Sequence, residues 1–384
     1  MMRRDRKVIY IAGFLISIPV ALMSYANSSF LSLFISQKLV GLTYIAGSVI
    51  SILMLAFAPS LLRKLGGYKF LLLVVGLDTL SVLLFAFSRN ALSAVFAFIF
   101  GFALNVIVFY SLDELLKIFS KDSTTGKIRG MYLTACNLAW VVAQLFSGII
   151  LGKFSFKTIY IVAFALMVVF FLLSFLGLRN MPDPKYDNSK ILNYLKEFFK
   201  NKNLLRAFKI NLLLQFFYCW MIVYTPIYLY KYLNFSWREI GIIFAVMLLP
   251  FIFIQLPLGE YSDKIGERKI LMLGFFITAI STLSLFFIQR HDIWIWAVLL
   301  FATRIGAASI EVMSDSYFFK HIKPENEEFV GIYRSASPIS YIAGPVVALL
   351  VLIFVPYFKL IFPVLAALMM YGVYLSSTIR KSDS

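Results

Sequence analysis

Residues 301–315, F-A-T-R-I-G-A-A-S-I-E-V-M-S-D, place Arg304, Glu311 and Asp315 inside a run apolar enough to cross a membrane. At about 100° per residue, steps of seven and eleven bring the three within about 20° of one line along a helix. Ionisable groups are costly in hydrocarbon and persist where they bind, carry protons or pair. A guanidinium is permanently charged and grips a carboxylate or phosphate with two parallel hydrogen bonds, so Arg304 is a candidate anion-binding residue. Glu311 is a candidate proton carrier, because its charge depends on burial and on the approach of Arg304 or Arg334. Together they suggest proton-coupled movement of an anion. The alternative is a static buried ion pair that fixes helix packing. Counted along a helix from Asp292, Arg304 lies about 18 Å in, near the midplane, Glu311 about 10 Å deeper and Asp315 close to the far edge.

Other chemistries find little to work with. His291 and His321 stand far apart near helix ends, and Cys136 and Cys219 fall inside apolar runs as buried thiols. Neither a metal site nor a disulfide framework follows, and no cofactor is expected. There is no phosphate-binding glycine loop for a primary pump. An intramembrane enzyme would need a clustered nucleophile, base or metal, for which the face at Glu311 and Asp315 is the sole candidate. No enzyme activity is expected.

The elements that must carry these residues are membrane helices. Of 384 residues 61% are hydrophobic and 14% charged, with mean hydropathy +0.86, outside the range of soluble domains. Long apolar runs rather than short alternating segments exclude a barrel. The runs predict twelve spans: 7 to 35, 41 to 63, 68 to 88, 91 to 119, 127 to 151, 156 to 178, 204 to 231, 237 to 262, 269 to 289, 292 to 319, 328 to 354 and 357 to 379. The first is too long for a secretory signal and is expected to be retained. With both termini in the cytoplasm, 26 of the 36 Lys and Arg residues fall on that side and eight opposite. This is the positive-inside pattern of a multi-pass protein of the cell membrane. The net charge of +17 is therefore topological, with attraction to anionic membrane lipids as a second effect, and nucleic-acid binding is not expected.

The chain divides at its longest polar stretch. Residues 1–178 form one six-helix bundle, 179–203 a cytoplasmic linker and 204–384 a second bundle. Within the linker, K-I-L-N-Y-L-K-E-F-F-K from Lys190 has the spacing of a short amphipathic helix at the membrane surface. An offset of 200 aligns Gly41 with Gly241, Lys64 with Lys264, Gly66 with Gly266 and Lys69 with Lys269. An offset of 201 aligns Glu114 with Asp315, Gly130 with Gly331 and Tyr132 with Tyr333. The fold class is thus all-α and polytopic, two repeats of six helices, an arrangement found in transporters with a midplane site.

Between spans eight and nine runs G-E-Y-S-D-K-I-G-E-R-K from Gly259. It resembles the G-x-x-x-D-[RK]-x-G-[RK]-[RK] loop of the major facilitator superfamily through Gly259, Asp263, Lys264, Gly266, Arg268 and Lys269, and departs at Glu267. Its first-half counterpart, P-S-L-L-R-K-L-G-G-Y-K from Pro59, carries Arg63 where the acid should stand. The resemblance covers essentially the whole chain.

It implies secondary transport of a small-molecule substrate by alternating access, with this loop as a gate latching the halves together on the cytoplasmic side. Charge complementarity offers partners: Asp263 with Arg129, Arg63 with Glu325, Glu327 or Glu328, and Arg268 with Asp315 inside its own half. By the same resemblance Tyr25, Asn27, Asn105, Tyr110, Asn137, Trp140, Gln144, Gln215, Tyr218, Arg334, Ser337 and Tyr341 are candidates to line the substrate or proton pathway. Asp78, buried mid-span, has either a structural or a local proton-carrying role. Gly344-Pro345 is a candidate hinge.

The expectation is a monomeric symporter or antiporter, coupled to protons, for a small polar solute, anionic if Arg304 binds it. Multidrug or amphipathic-compound efflux is the alternative. It is weakened by a fifth span, A-Q-L-F-S-G-I-I-L-G, that lacks the glycine-proline element of drug and proton antiporters in this superfamily. A non-transporting sensor or scaffold keeping the fold is a further alternative, motivated by Arg63.

Overall fold

The computed structural model describes residues 2–117, 125–179, 191–255, 257–258, 266–322, 328–354 and 357–379. Its contacts cluster into two compact units, Met1–Asn188 and Ser189–Ser384. The first holds α1 (Met2–Leu31), α2 (Gln37–Leu65), α3 (Gly67–Ala86), α4 (Ala91–Lys117), α5 (Thr125–Lys153) and α6 (Phe156–Gly177). The second holds α7 (Ile191–Lys200), α8 (Lys202–Val223), α9 (Trp237–Leu248), α10 (Glu267–Phe287), α11 (Ile293–Lys320), α12 (Glu328–Arg334), α13 (Ala336–Phe354) and α14 (Ile361–Ser377). No strand occurs among the described residues.

Eleven stretches of described helix are long and apolar enough to cross a membrane. The predicted span at 237–262 is not one of them, because its helix is broken. Pro250 has no amide hydrogen and clashes with the preceding turn. Around it the i−4 ladder gives way to i−3 bonds, Leu249 to Val246 and Ile252 to Leu249, and helix resumes as Pro250–Phe253 before a second turn at Ile254. Span seven also changes character, since Pro226 follows the end of α8 and Tyr228–Tyr232 continue as a π-helix.

Each unit repeats one internal plan. In the first, α3 packs on α4 and α6, α2 on α4, and α1 on α5 and α6; in the second, α10 packs on α11 and α14, α9 on α11, and α8 on α13 and α14. Local details recur with it. Gly66 and Gly266 have φ of 76° and 74°, a left-handed backbone that glycine enters without steric cost, and each starts the helix that follows. Lys157 sits over the Phe87 ring at 4.1 Å, and Lys359 over Phe286 at 4.6 Å.

Because these helices are apolar all round, hydrophobicity does not decide which side faces inward. Lipid is as apolar as leucine, so small residues and hydrogen bonds sort the packing. A Cβ on Gly306 would collide with the Gly274 carbonyl and with Thr278, so α10 and α11 meet backbone to backbone there. Arg304, two residues earlier and about 200° away around α11, is directed to the opposite side.

Candidate functional site

Asp292 starts α11 by accepting from the amides of Trp294 and Ile295 at 2.9 and 3.1 Å. The helix then runs unbroken past Arg304, Glu311 and Asp315, as the sequence predicts. Arg304 is 1% exposed. Its guanidinium lies 4.9 Å from the centre of the Phe217 ring and 5.7 Å from that of Tyr218, both on α8. Its Nη1 has no hydrogen-bond partner among the described residues. Aromatic faces stabilise a cation without consuming its N–H groups, so the fork keeps donor capacity inside the unit.

Glu311 does not pair directly with Arg304. Its Oε2 accepts a 2.7 Å hydrogen bond from Gln255 Nε2, in the broken span. Asp315, Arg334 and Arg304 act on it electrostatically.

One turn on, Asp315 is held twice: Arg334 Nη2 donates to Oδ2 at 3.1 Å and the Tyr333 hydroxyl to Oδ1 at 3.0 Å. Arg334, rather than the expected Arg268, is therefore the cation of Asp315 among the described residues. The reason is local. Pro338 offers no amide hydrogen to the preceding turn, the helix stops at Ser335, and Arg334 becomes the last residue of α12. Cations are favoured at such a C-terminus. Tyr333 also shares a 2.8 Å hydrogen bond with Ser314 and accepts one at its carbonyl from Asn211, which in turn accepts from Gln215. Four stretches of helix thus meet in one polar network.

Below it, Glu267 is fully buried and takes Lys320 Nζ at 2.7 Å and the Ser316 hydroxyl at 3.1 Å on one oxygen. The residue that departs from the loop signature thus fills an internal role that the sequence does not announce. Tyr333 stacks on Phe318 at 4.0 Å, and Phe318 reaches Phe198 of α7 at 6.4 Å, so the linker helix docks on this end of the second unit.

In the first unit, several predicted lining residues have partners within the unit. Gln144 donates to the Ala21 carbonyl at 2.8 Å, Asn27 accepts from the Tyr160 hydroxyl at 2.8 Å, and Tyr25 meets Trp140 edge-on at 6.3 Å. Asn105 lies against Asp78, whose other partner is Ser81. Gly344 is tied rather than loose, its carbonyl accepting from Trp220 Nε1 at 2.9 Å. The break in that span falls at Ser335 instead.

Gly259, Asp263, Lys264, Glu325 and Glu327 lie outside the described residues, as do the side chains of Arg129 and Glu328. Arg63 and Lys69 are exposed and Arg268 is half-buried. Gln255, Tyr333, Asn211 and Lys320 were not singled out by sequence. A lone amide at Gln255, amid apolar residues between two prolines, and Tyr333, aligned with Tyr132 in the repeat, were the available signals.

Residues 218–382 match the family model of the Major Facilitator Superfamily. The structure is similar to that of the human organic anion transporter MFSD10 (TETRAN), with TM-score 0.74 and 15% identity over 98% of this chain and 99% of that one. It is also similar to that of the POT family transporter PepTSo, with TM-score 0.77 and 12% identity over 97% of each chain. At such identities the likeness is one of fold. No curated protein matches by sequence. The matched segment holds Arg304, Glu311 and Asp315, and the chain is a multi-pass membrane protein with the fold of major facilitator superfamily transporters.

Proposed function

We propose that the protein is a secondary transporter that moves a small anionic solute by alternating access, with Arg304 as the anion-binding group and Glu311 as the proton carrier. The observation that carries this reading is the buried guanidinium against two aromatic rings, with an unspent donor and a hydrogen-bonded carboxylate about 10 Å along the same face. A charge count supports coupling. Arg304 and Arg334 balance ionised Glu311 and Asp315, so an arriving monoanion adds an uncompensated charge to a buried cluster. Binding one proton with it leaves the total unchanged, which avoids the cost of net charge in low dielectric. Similarity in fold to an organic anion transporter fits this substrate class.

In this reading the two units are the rocking bodies, both termini are cytoplasmic, and Asp263 with Arg129 and Arg63 with a glutamate near 325–328 latch the inner side. Purified protein in proteoliposomes should accumulate a labelled organic anion when a pH gradient is imposed. Arg304→Gln should abolish binding and uptake; Glu311→Gln should spare binding and remove the response to the gradient. Uptake of neutral compounds alone, with Arg304→Gln active, would refute the anion assignment.

A further inference from the structure

We propose that His291 is a proton-binding site that clasps the loop after α8 to the start of α9, at the end of the second unit away from α7. The imidazole is gripped from two directions. Nδ1 lies 3.0 Å from the Leu233 carbonyl and Nε2 3.0 Å from Glu239 Oε1. Its ring stacks on buried Phe235, with centroids 4.0 Å apart and planes 20° from parallel.

Both partners are acceptors. A neutral imidazole has one N–H, so in either tautomer it turns a lone pair toward the carbonyl or the carboxylate; only the imidazolium donates to both. The surroundings are built to hold that geometry. Asn234 takes φ of 59°, a left-handed conformation that Asn tolerates, at the turn between Leu233 and Phe235. The second oxygen of Glu239 is committed to a capping box, accepting from the Ser236 amide and hydroxyl at 2.7 Å each, which leaves Oε1 for the ring. The groups that act on the imidazole are Glu239 and the Leu233 carbonyl. Lys231, Arg238, Arg290 and Asp292 flank it on the same elements. Of these, Asp292 turns its Oδ1 to the α11 amides, and Arg290 gives its carbonyl to Trp296.

The hydrogen bond the ring donates to Glu239, then the one it donates to the Leu233 carbonyl, raise the His291 pKa above its ordinary value. The clasp is therefore complete below about pH 6.5 and is lost as pH rises through the raised value. With both termini cytoplasmic this end faces outward, so external acid would order the loop between α8 and α9. The inference does not depend on Arg304 or on the identity of the solute.

The test uses full-length protein in lipid nanodiscs. The chain has two histidines, so His321→Asn leaves one imidazole for titration by NMR with labelled histidine. A midpoint above about 6.5 is expected, falling toward that value in Glu239→Gln. Hydrogen exchange at amides 234–240 should rise with pH beyond its intrinsic increase, and this excess should vanish in His291→Gln and in His291→Phe, which retains the stack. A midpoint at or below about 6.5, a midpoint indifferent to Glu239→Gln, or loop exchange that ignores the titration would each overturn the proposal.

Discussion

Gln255 donates a 2.7 Å hydrogen bond to Glu311, from a helix that proline has interrupted to one that runs whole. A proline-broken stretch of backbone thereby hydrogen-bonds the carboxylate. Gln255→Leu should lower transport about tenfold or more, since an ionised carboxylate losing a buried hydrogen bond forfeits roughly 1.5–3 kcal/mol. Uptake in proteoliposomes checks this, and Gln255→Asn, too short to reach, should resemble Leu.

Arg304 should trade stability for function. A buried cation with an unspent donor is costly to keep, so Arg304→Met should leave Tm unchanged or raise it, by the equivalent of about 1–2 kcal/mol. The same change should abolish anion binding. Thermal unfolding and ligand-induced Tm shifts measured on one sample separate the two effects; a large fall in Tm would mark Arg304 as purely structural.

Arg334 and Asp315 should behave oppositely. They satisfy one another, so Arg334→Ala should destabilise by about 1–3 kcal/mol by stranding a mostly buried carboxylate. Asp315→Asn, which keeps an acceptor for Tyr333, should cost less. A double-mutant cycle on unfolding midpoints gives the coupling, and a value near zero would sever the pair.

Gly306→Ala should be among the most damaging small substitutions, because the added carbon meets the Gly274 carbonyl and the Thr278 amide, which cannot yield, as well as the Thr278 hydroxyl. Overpacking of this kind costs about 1–3 kcal/mol. Gly331→Ala, with nothing within 4 Å of the added carbon, is the control and should leave Tm within about 1 °C, since such a change stays near ±0.5 kcal/mol.

Much of this arrangement was legible in the chain. Run length predicts eleven of the twelve spans, 237–262 being the exception, and prolines 226, 250 and 338 mark where helices stop. The shared face of Arg304, Glu311 and Asp315 follows from 3.6-residue periodicity alone. Partner choice was not legible. Whether Asp315 takes Arg268 or Arg334 depends on a break at Ser335 that swings one of them into reach, and spacing along separate helices carries no such information. Asn27 and Gln144 are pathway candidates through the family resemblance, and the sequence does not reveal that the Tyr160 hydroxyl and a backbone carbonyl of α1 hydrogen-bond them. Hydropathy reports that a polar atom is present, not what answers it.

The lysine over a phenylalanine at Lys157 and Phe87, repeated at Lys359 and Phe286, lets one experiment be run twice inside a single molecule. Ring-current shifts or fluorinated phenylalanines at both places would give paired gauges with matched chemistry and different surroundings. Divergence between the two readings during a transport cycle would measure directly how unequally the duplicated halves share the work.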